Sequence, residues 1–283
     1  MLVYLNGNFV PASQACIPVH DRGFLFGDGV YEVIRSYGGR LFASAAHLRR
    51  LENGLSALQI PLPQAAELPA LAGHLLQKNG LQRADALIYF QVTRGAALPR
   101  RHYFPPPDTP PTVYIATRAF TPPSALLADG VAAITVPDIR WQRCDLKTIN
   151  LLPNVLASQQ AHAVGADEAI FIHAGAATEA SHSNFFAVFH GRILTHPGTQ
   201  RILPGITRAV VLELCRQLHV PVEETAPVAA LLPHADELFL SRTSGEVVPV
   251  VQLDGQSIAD GRPGPITRRL QQAFAEYVAQ HSA

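Results

Sequence analysis

Apolar residues recur along this chain in two periods, a short alternation and a helical stripe, and the two take turns. Residues 2–5 and 9–10 are apolar runs flanking Asn6-Gly7, which predicts an opening hairpin. Gly23, Gly27 and Gly29 predict tight turns ahead of a strand over 30–37, and Gly38-Gly39 turns that strand into 40–42. Leu48, Leu51, Leu55 and Leu58 share one helical face, with Ser44 as the expected N-cap, and a second helix is expected over 64–78. Strands follow at 86–94 and 112–118, separated by a long Pro-rich loop at 95–111.

Two prolines in residues 119–124, AFTPPS, mark the expected domain boundary. Beyond it the pattern predicts strands at 130–136 and 168–173 around a helix at 154–163. Strands at 185–189 and 192–195 pair across His190-Gly191. Gly205 opens a helix to 218 whose stripe is Val210, Val211, Leu214 and Leu218. Strands at 237–241 and 247–253 and a helix at 265–279 close the chain. Strands and helices mix without a βαβ alternation, so the expected class is α+β rather than a doubly wound sheet. The expected domains are 1–118, a linker at 119–124, and 125–283.

Composition narrows the picture. With 283 residues, 48% hydrophobic and 16% charged, the chain suits two modest domains or one large one with a sizeable core. A formal net charge of zero gives no global field toward nucleic acid or membranes. Cys16, Cys144 and Cys215 are isolated, which fits a reducing cytoplasm rather than a disulfide framework. The first residues lack a basic and then a long apolar region, and no apolar run approaches the ~18–20 residues of a membrane span, so neither a signal peptide nor a spanning helix is expected. The histidines show no HxH or HxxxH spacing, so no metal site is expected.

One count changes the picture more. Of 22 basic residues only Lys78 and Lys147 are lysines. Lys78 suits the last turn of a helix before Asn79-Gly80. Lys147 follows Asp145 and precedes an apolar run, and a desolvated amine is a nucleophile toward carbonyls where arginine is not. A Schiff-base lysine and an incidental lysine are both open on this count alone. Residues 202–210, ILPGITRAV, place Gly205, Ile206 and Thr207 at a helix start, which serves as a phosphate site or an ordinary cap. Residues 241–246, SRTSGE, offer a second hydroxyl-rich turn. Glu179 lies among small residues ahead of an apolar strand, as a partner for a protonated ring nitrogen or as a solvated loop acid. Arg100, Arg101 and His102 cluster without nearby acids, suiting either a carboxylate ligand or a basic surface loop.

Seven segments in this order resemble the class IV aminotransferases, the fold-type IV pyridoxal-phosphate enzymes, and within them the branch acting on D-amino acids. They are DRGFLFGDGVYEVIR, YFQVTRG, PRRHYFP, DIRWQRCDLKTINLLPNVLA, TEASHSN, LPGITR and SRTSGE. The resemblance implies a two-domain fold, an N-terminal α/β sandwich and a C-terminal pseudo-barrel with helices. It implies a ping-pong transamination between D-amino acids and 2-oxo acids on pyridoxal 5'-phosphate. Lys147 would form the internal aldimine and carry the 1,3-proton shift, and Glu179 would pair with the pyridine nitrogen. Arg50, Ile206, Thr207 and Thr243 would hold the phosphate, and Leu203 would pack on the ring. Tyr31, Arg100 and His102 would form the trap for the substrate carboxylate, the last two offered to a partner subunit of a homodimer. Branched-chain L-aminotransferase, aminodeoxychorismate lyase and R-selective amine transaminase are the alternatives on the same fold. Two features depart from the pattern: His182 replaces a small serine, and segment 95–98 is one residue longer.

Overall fold

Asn6 and Gly7 take positive φ angles of 48° and 93°, as a two-residue hairpin turn requires, so β1 (Leu2–Leu5) folds back on β2 (Asn8–Pro11). The computed structural model describes residues 1–281 of this chain. It divides into two units, one holding Met1–Thr121 with Leu146–Asn150, the other Pro122–Asp145 with Leu151–Gln280. The division at Thr121 falls inside the 119–124 stretch, and the short segment that carries Lys147 groups with the first unit.

After the hairpin, the first unit runs through α1 (Arg22–Phe26), β3 (Gly29–Tyr37), β4 (Arg40–Leu41), α2 (Ser44–Ala57), α3 (Leu68–Lys78), β5 (Ala86–Thr93) and β6 (Thr112–Ala119). Its six strands are ordered β2-β1-β6-β5-β3-β4, each pair antiparallel. The helices bury Leu51, Leu55, Leu75 and Leu76 against Val30, Ile34, Ile88, Phe90 and Ile115. Three local expectations change. The glycine-punctuated stretch contains α1, a short helix capped by Asp21, which accepts from Gly23 N at 2.8 Å, and ended by Gly27 at φ 67°. Ser44 is inside α2 rather than its cap; Ala43 holds that position in the left-handed region with no side-chain bond. The 64–78 helix is a 3₁₀ turn at Ala65–Glu67 followed by α3, with a proline in its first turn, where a missing N–H costs nothing.

The second unit contains α4 (Ser124–Asp129), β7 (Val131–Pro137), α5 (Leu152–Ala163), β8 (Glu168–His173), β9 (Ala176–Ala180), β10 (Asn184–Phe189) and β11 (Arg192–Thr195). It continues through α6 (Ile206–Gln217), β12 (Val222–Glu223), β13 (Glu237–Arg242), β14 (Glu246–Leu253), β15 (Gln256–Ser257) and α7 (Pro265–His281). Strand order is β12-β11-β10-β13-β14-β7-β8-β9, and β9 pairs back onto β10, which closes a barrel. Closure leaves a narrow interior, and Ala133, Ala177, Ala180 and Ala187 supply small side chains among Phe185, Leu238 and Val248. This explains why β9, sequence AATEA, shows no strand-like alternation and why Glu179 sits in a strand rather than a loop. The α+β class and the barrel-like second unit agree with the sequence expectation.

Candidate active site

In the first unit, alternation along β3 turns Val30, Glu32 and Ile34 toward α2 and leaves Tyr31 on the opposite face. Glu32 is therefore a carboxylate on a core face, 1% exposed, and α2 answers it. Arg50 donates through Nη2 to Oε1 at 2.7 Å and through Nε to Oε2 at 2.9 Å. His47 Nδ1 lies 3.0 Å from Oε1, and Val33 N donates to the same oxygen at 2.8 Å. Burial alone would raise the Glu32 pKa, but Arg50 and His47 outweigh it and hold the acid well below the usual carboxylate range. Burial pushes His47 down; Glu32 opposes that, while the charges of Arg50 and Lys147 add to it.

Lys147 reaches this sheet through its backbone. Residues 147–149 strap the start of β3: Tyr31 N donates to Lys147 O at 2.9 Å, Ile149 N donates to Gly29 O at 3.1 Å, and Thr148 bridges Val30. The Lys147 Nζ stands 4.2 Å from the Tyr31 ring centre. Tyr31 in turn stacks on Tyr89 at 5.7 Å, and burial raises the Tyr89 hydroxyl to about 12.

Residues 100–104 are pinned from their main chain. Arg22, whose Nε binds Asp28 at 2.8 Å, donates to the carbonyls of Arg101 and His102 at 2.7 and 3.3 Å. Arg94 holds Asp28 through two bonds and lies 3.7 Å from the Phe104 ring centre. The exposed side chains of Arg100 and His102 flank Phe26, at 4.4 and 5.5 Å.

In the second unit, Glu179 is 5% exposed. It accepts from Arg140 Nη1 at 2.5 Å, Asn184 Nδ2 at 3.1 Å and Leu203 N at 3.0 Å. Arg140 also binds both oxygens of Asp138, at 2.9 and 2.8 Å, and stacks 4.2 Å from the Phe171 ring centre. Burial would raise the Asp138 pKa, yet bonds from Arg140 hold it below the usual carboxylate value. Asn184 Nδ2 reaches Leu203 O at 2.9 Å, which ties the loop ahead of α6 to the start of β10. Gly205 caps α6 without a side-chain bond, and a Cβ there would collide with Asn184 Oδ1. The α6 N-terminus thus starts beside the Glu179 strand, with Thr207 buried and the N–H groups of Ile206 and Thr207 lacking partners within the helix. Thr243 is half-buried in the turn between β13 and β14. Among the described residues no group of three or more His, Cys, Asp or Glu side chains is placed to hold a metal ion.

Within the second unit, a buried carboxylate backed by an arginine and a helix start with N–H groups free of helical partners fit a phosphorylated, cationic heterocycle; within the first, a lysine amine stands beside an aromatic ring. Comparison with known proteins points the same way. The family described as amino-transferase class IV matches residues 29–253. This chain belongs to that family. A D-alanine aminotransferase of Staphylococcus aureus (strain N315) is 42% identical over 281 residues, 99% of each chain. One from Bacillus licheniformis is 42% identical, covering 100% of this chain and 99% of its own. Among solved structures, the branched-chain amino acid aminotransferase from Escherichia coli superposes with TM-score 0.87 at 29% identity, covering 97% and 92% of the two chains. The T.th. branched-chain amino acid aminotransferase complexed with N-(5'-phosphopyridoxyl)-L-glutamate gives TM-score 0.88 at 29% identity, covering 99% and 94%.

Sequence reasoning about this aminotransferase singled out Arg50, Tyr31 and Glu179 but missed the groups that hold or neighbour them. The one signal for Glu32 and His47 was a polar residue at a core-facing position, and it did not name a partner; Arg140 and Asp138 were two basic-acidic neighbours among several in residues 138–145.

Proposed function

We propose that this chain is a pyridoxal 5'-phosphate-dependent D-amino-acid aminotransferase, moving the amino group of D-alanine to 2-oxoglutarate to give pyruvate and D-glutamate. The observation that carries this reading is the 42% identity to D-alanine aminotransferases over essentially the whole of both chains. Lys147 is the residue that bonds the cofactor, Glu179 pairs with its ring nitrogen, and Leu203 packs on the ring. Arg50, Ile206, Thr207 and Thr243 hold its phosphate. The cofactor, when bound, supplies an electron sink for the substrate Cα.

The chain's own groups do the rest. Lys147 Nζ takes the α-proton of the bound amino acid, and the Tyr31 ring beside it limits where that amine swings. Glu179, fixed in place by its donors Arg140, Asn184 and Leu203 N, stabilises positive charge on a ring nitrogen. Tyr31, Arg100 and His102 bind the substrate carboxylate. Arg100 and His102 are exposed on their own unit, and Phe24 and Tyr103 nearby are 76% and 62% exposed. That apolar rim supports a homodimer in which the loop serves the partner's site. The separated cysteines, free in this structure, support a cytoplasmic location.

The test is the holoenzyme with D- or L-alanine and 2-oxoglutarate, assayed for pyruvate. Formation from D-alanine alone is expected. Formation from L-alanine alone supports the branched-chain reading that the structural neighbours favour, and neither supports a lyase or amine transaminase. Lys147→Ala abolishes transamination and the cofactor's lysine-bound absorbance band; retention of both would refute the assignment.

A further inference from the structure

A second buried carboxylate in the barrel has no place in the chemistry above. Glu168, at the start of β8, is 0% exposed. Its Oε1 accepts from Ser181 N at 3.2 Å and from the Ser181 hydroxyl, and its Oε2 accepts from Ser183 Oγ at 3.0 Å. His182 Nδ1 lies 3.0 Å from Oε2, and Arg242 Nη1 lies 3.8 Å from the same oxygen and bonds to His182 Nε2. Arginine can only donate, so His182 Nε2 must carry a lone pair and Nδ1 the proton. One order of contacts follows: Arg242 donates to His182 Nε2, and His182 Nδ1 faces Glu168 Oε2 and, at 3.1 Å, Ser181 Oγ.

The two ends of this chain of bonds matter. Ser181–Ser183 is the segment that leaves β9 just after Glu179. Arg242 is the last residue of β13 and opens the turn that carries Thr243, closed by Gly245 N donating to Arg242 O at 3.2 Å. The arginine stem folds back over that turn: a Cβ on Gly245 would stand 2.6 Å from Arg242 Nε and 3.1 Å from Cγ. Arg242 Nε is buried there without a hydrogen-bond partner. Glycine at 245 therefore makes room for the guanidinium, and the guanidinium shapes the turn.

We propose that Glu168, His182 and Arg242 form an ionic clamp that positions the Thr243 turn for the cofactor phosphate, with Arg242 and His182 as positioning residues. The inference rests on the cofactor reading above. The clamp joins the strand that bears Glu179 to the turn that bears Thr243, so it sets how those two segments of the second unit are held together. A merely structural clamp would weaken all cofactor binding alike, whereas this one discriminates by the phosphate.

The experiment is cofactor titration of the apoenzyme, followed by absorbance, with pyridoxal 5'-phosphate and with phosphate-free pyridoxal. Arg242→Ser is expected to weaken binding of the phosphorylated form about tenfold or more, with pyridoxal binding held within about twofold. His182→Ser shifts the same ratio in the same direction, and the double variant is no worse than Arg242→Ser, because both act through one clamp. Equal loss for both ligands, or unchanged affinity for the phosphorylated one in a folded Arg242→Ser, overturns the proposal. Should Arg242→Ser fail to fold by circular dichroism, His182→Ser decides: that side chain is 49% exposed, and an unchanged ratio there overturns the clamp. Wild-type apoenzyme that shows no preference for the phosphorylated form would instead overturn the cofactor reading itself.

Discussion

Each unit of this aminotransferase buries a glutamate against an arginine, and the two arrangements are balanced differently. In the first unit Glu32 meets Arg50 through two bonds, and His47 completes the group. With His47 pushed toward its neutral form, one negative charge faces one positive charge. In the second unit Glu179 and Asp138 share Arg140, so the trio carries a net negative charge. A buried carboxylate is therefore no mark of function by itself. The balanced set orients Arg50 and contributes to holding α2 on β3. The unbalanced set suits a cationic partner, which a protonated ring nitrogen would supply under the proposed function.

Exchanging each acid for its amide separates the two roles. Glu32→Gln leaves the Arg50 charge without its carboxylate in a buried setting, and about 3–5 kcal/mol of stability should be lost. Urea unfolding of the apoprotein measures it, and an unchanged midpoint would break the comparison. Glu179→Gln should cost little stability by the same measurement but lower kcat about 10²–10³-fold, the scale seen when one preorganised charge-stabilising group is lost. Asp138→Asn sharpens the picture further. It brings the trio to neutrality while leaving Glu179 in place, and a loss of about tenfold in kcat is expected. A kcat equal to wild type would mean that net charge in the trio does not matter.

Much of the fold was legible because its signals are local. Asn6-Gly7 dictates its hairpin, and the leucines of α2 show their buried face. β9 was not legible, because the barrel interior asks for alanine where a strand pattern would show valine or isoleucine. The site divides the same way. Lys147 stood out by the rarity of lysine, and the α6 start by its glycine and threonine. Glu32, Arg140 and Glu168 stayed hidden because their partners lie 18, 39 and 13 residues away, and only the packing of helix on strand, loop on strand and strand on strand brings them together. His182 was visible as a departure, but its meaning needed Arg242, 60 residues on.

Acid titration tests the balanced set most gently. Glu32 and His47 both have folded pKa values below their ordinary ones. Each therefore contributes stability that is present above its unfolded value and is lost as pH falls toward the folded one. For His47 the loss begins as pH drops below about 6.5, and for Glu32 below about 4.5. Between pH 6.5 and 5 the Glu32 contribution is still largely intact, so this window reads histidines. His196 in the second unit is also pushed down by burial and adds to the wild-type slope. The contribution of His47 is thus the difference between wild type and His47→Gln, at most about 1.4 kcal/mol per pH unit for one proton. Urea midpoints of the apoprotein across that window should fall less steeply in His47→Gln. Identical slopes would mean that His47 takes up its proton over the same pH range folded and unfolded; a steeper fall in His47→Gln than in wild type would mean that it keeps its proton beside Glu32, and the first unit's set would then carry the extra positive charge that the comparison denies it.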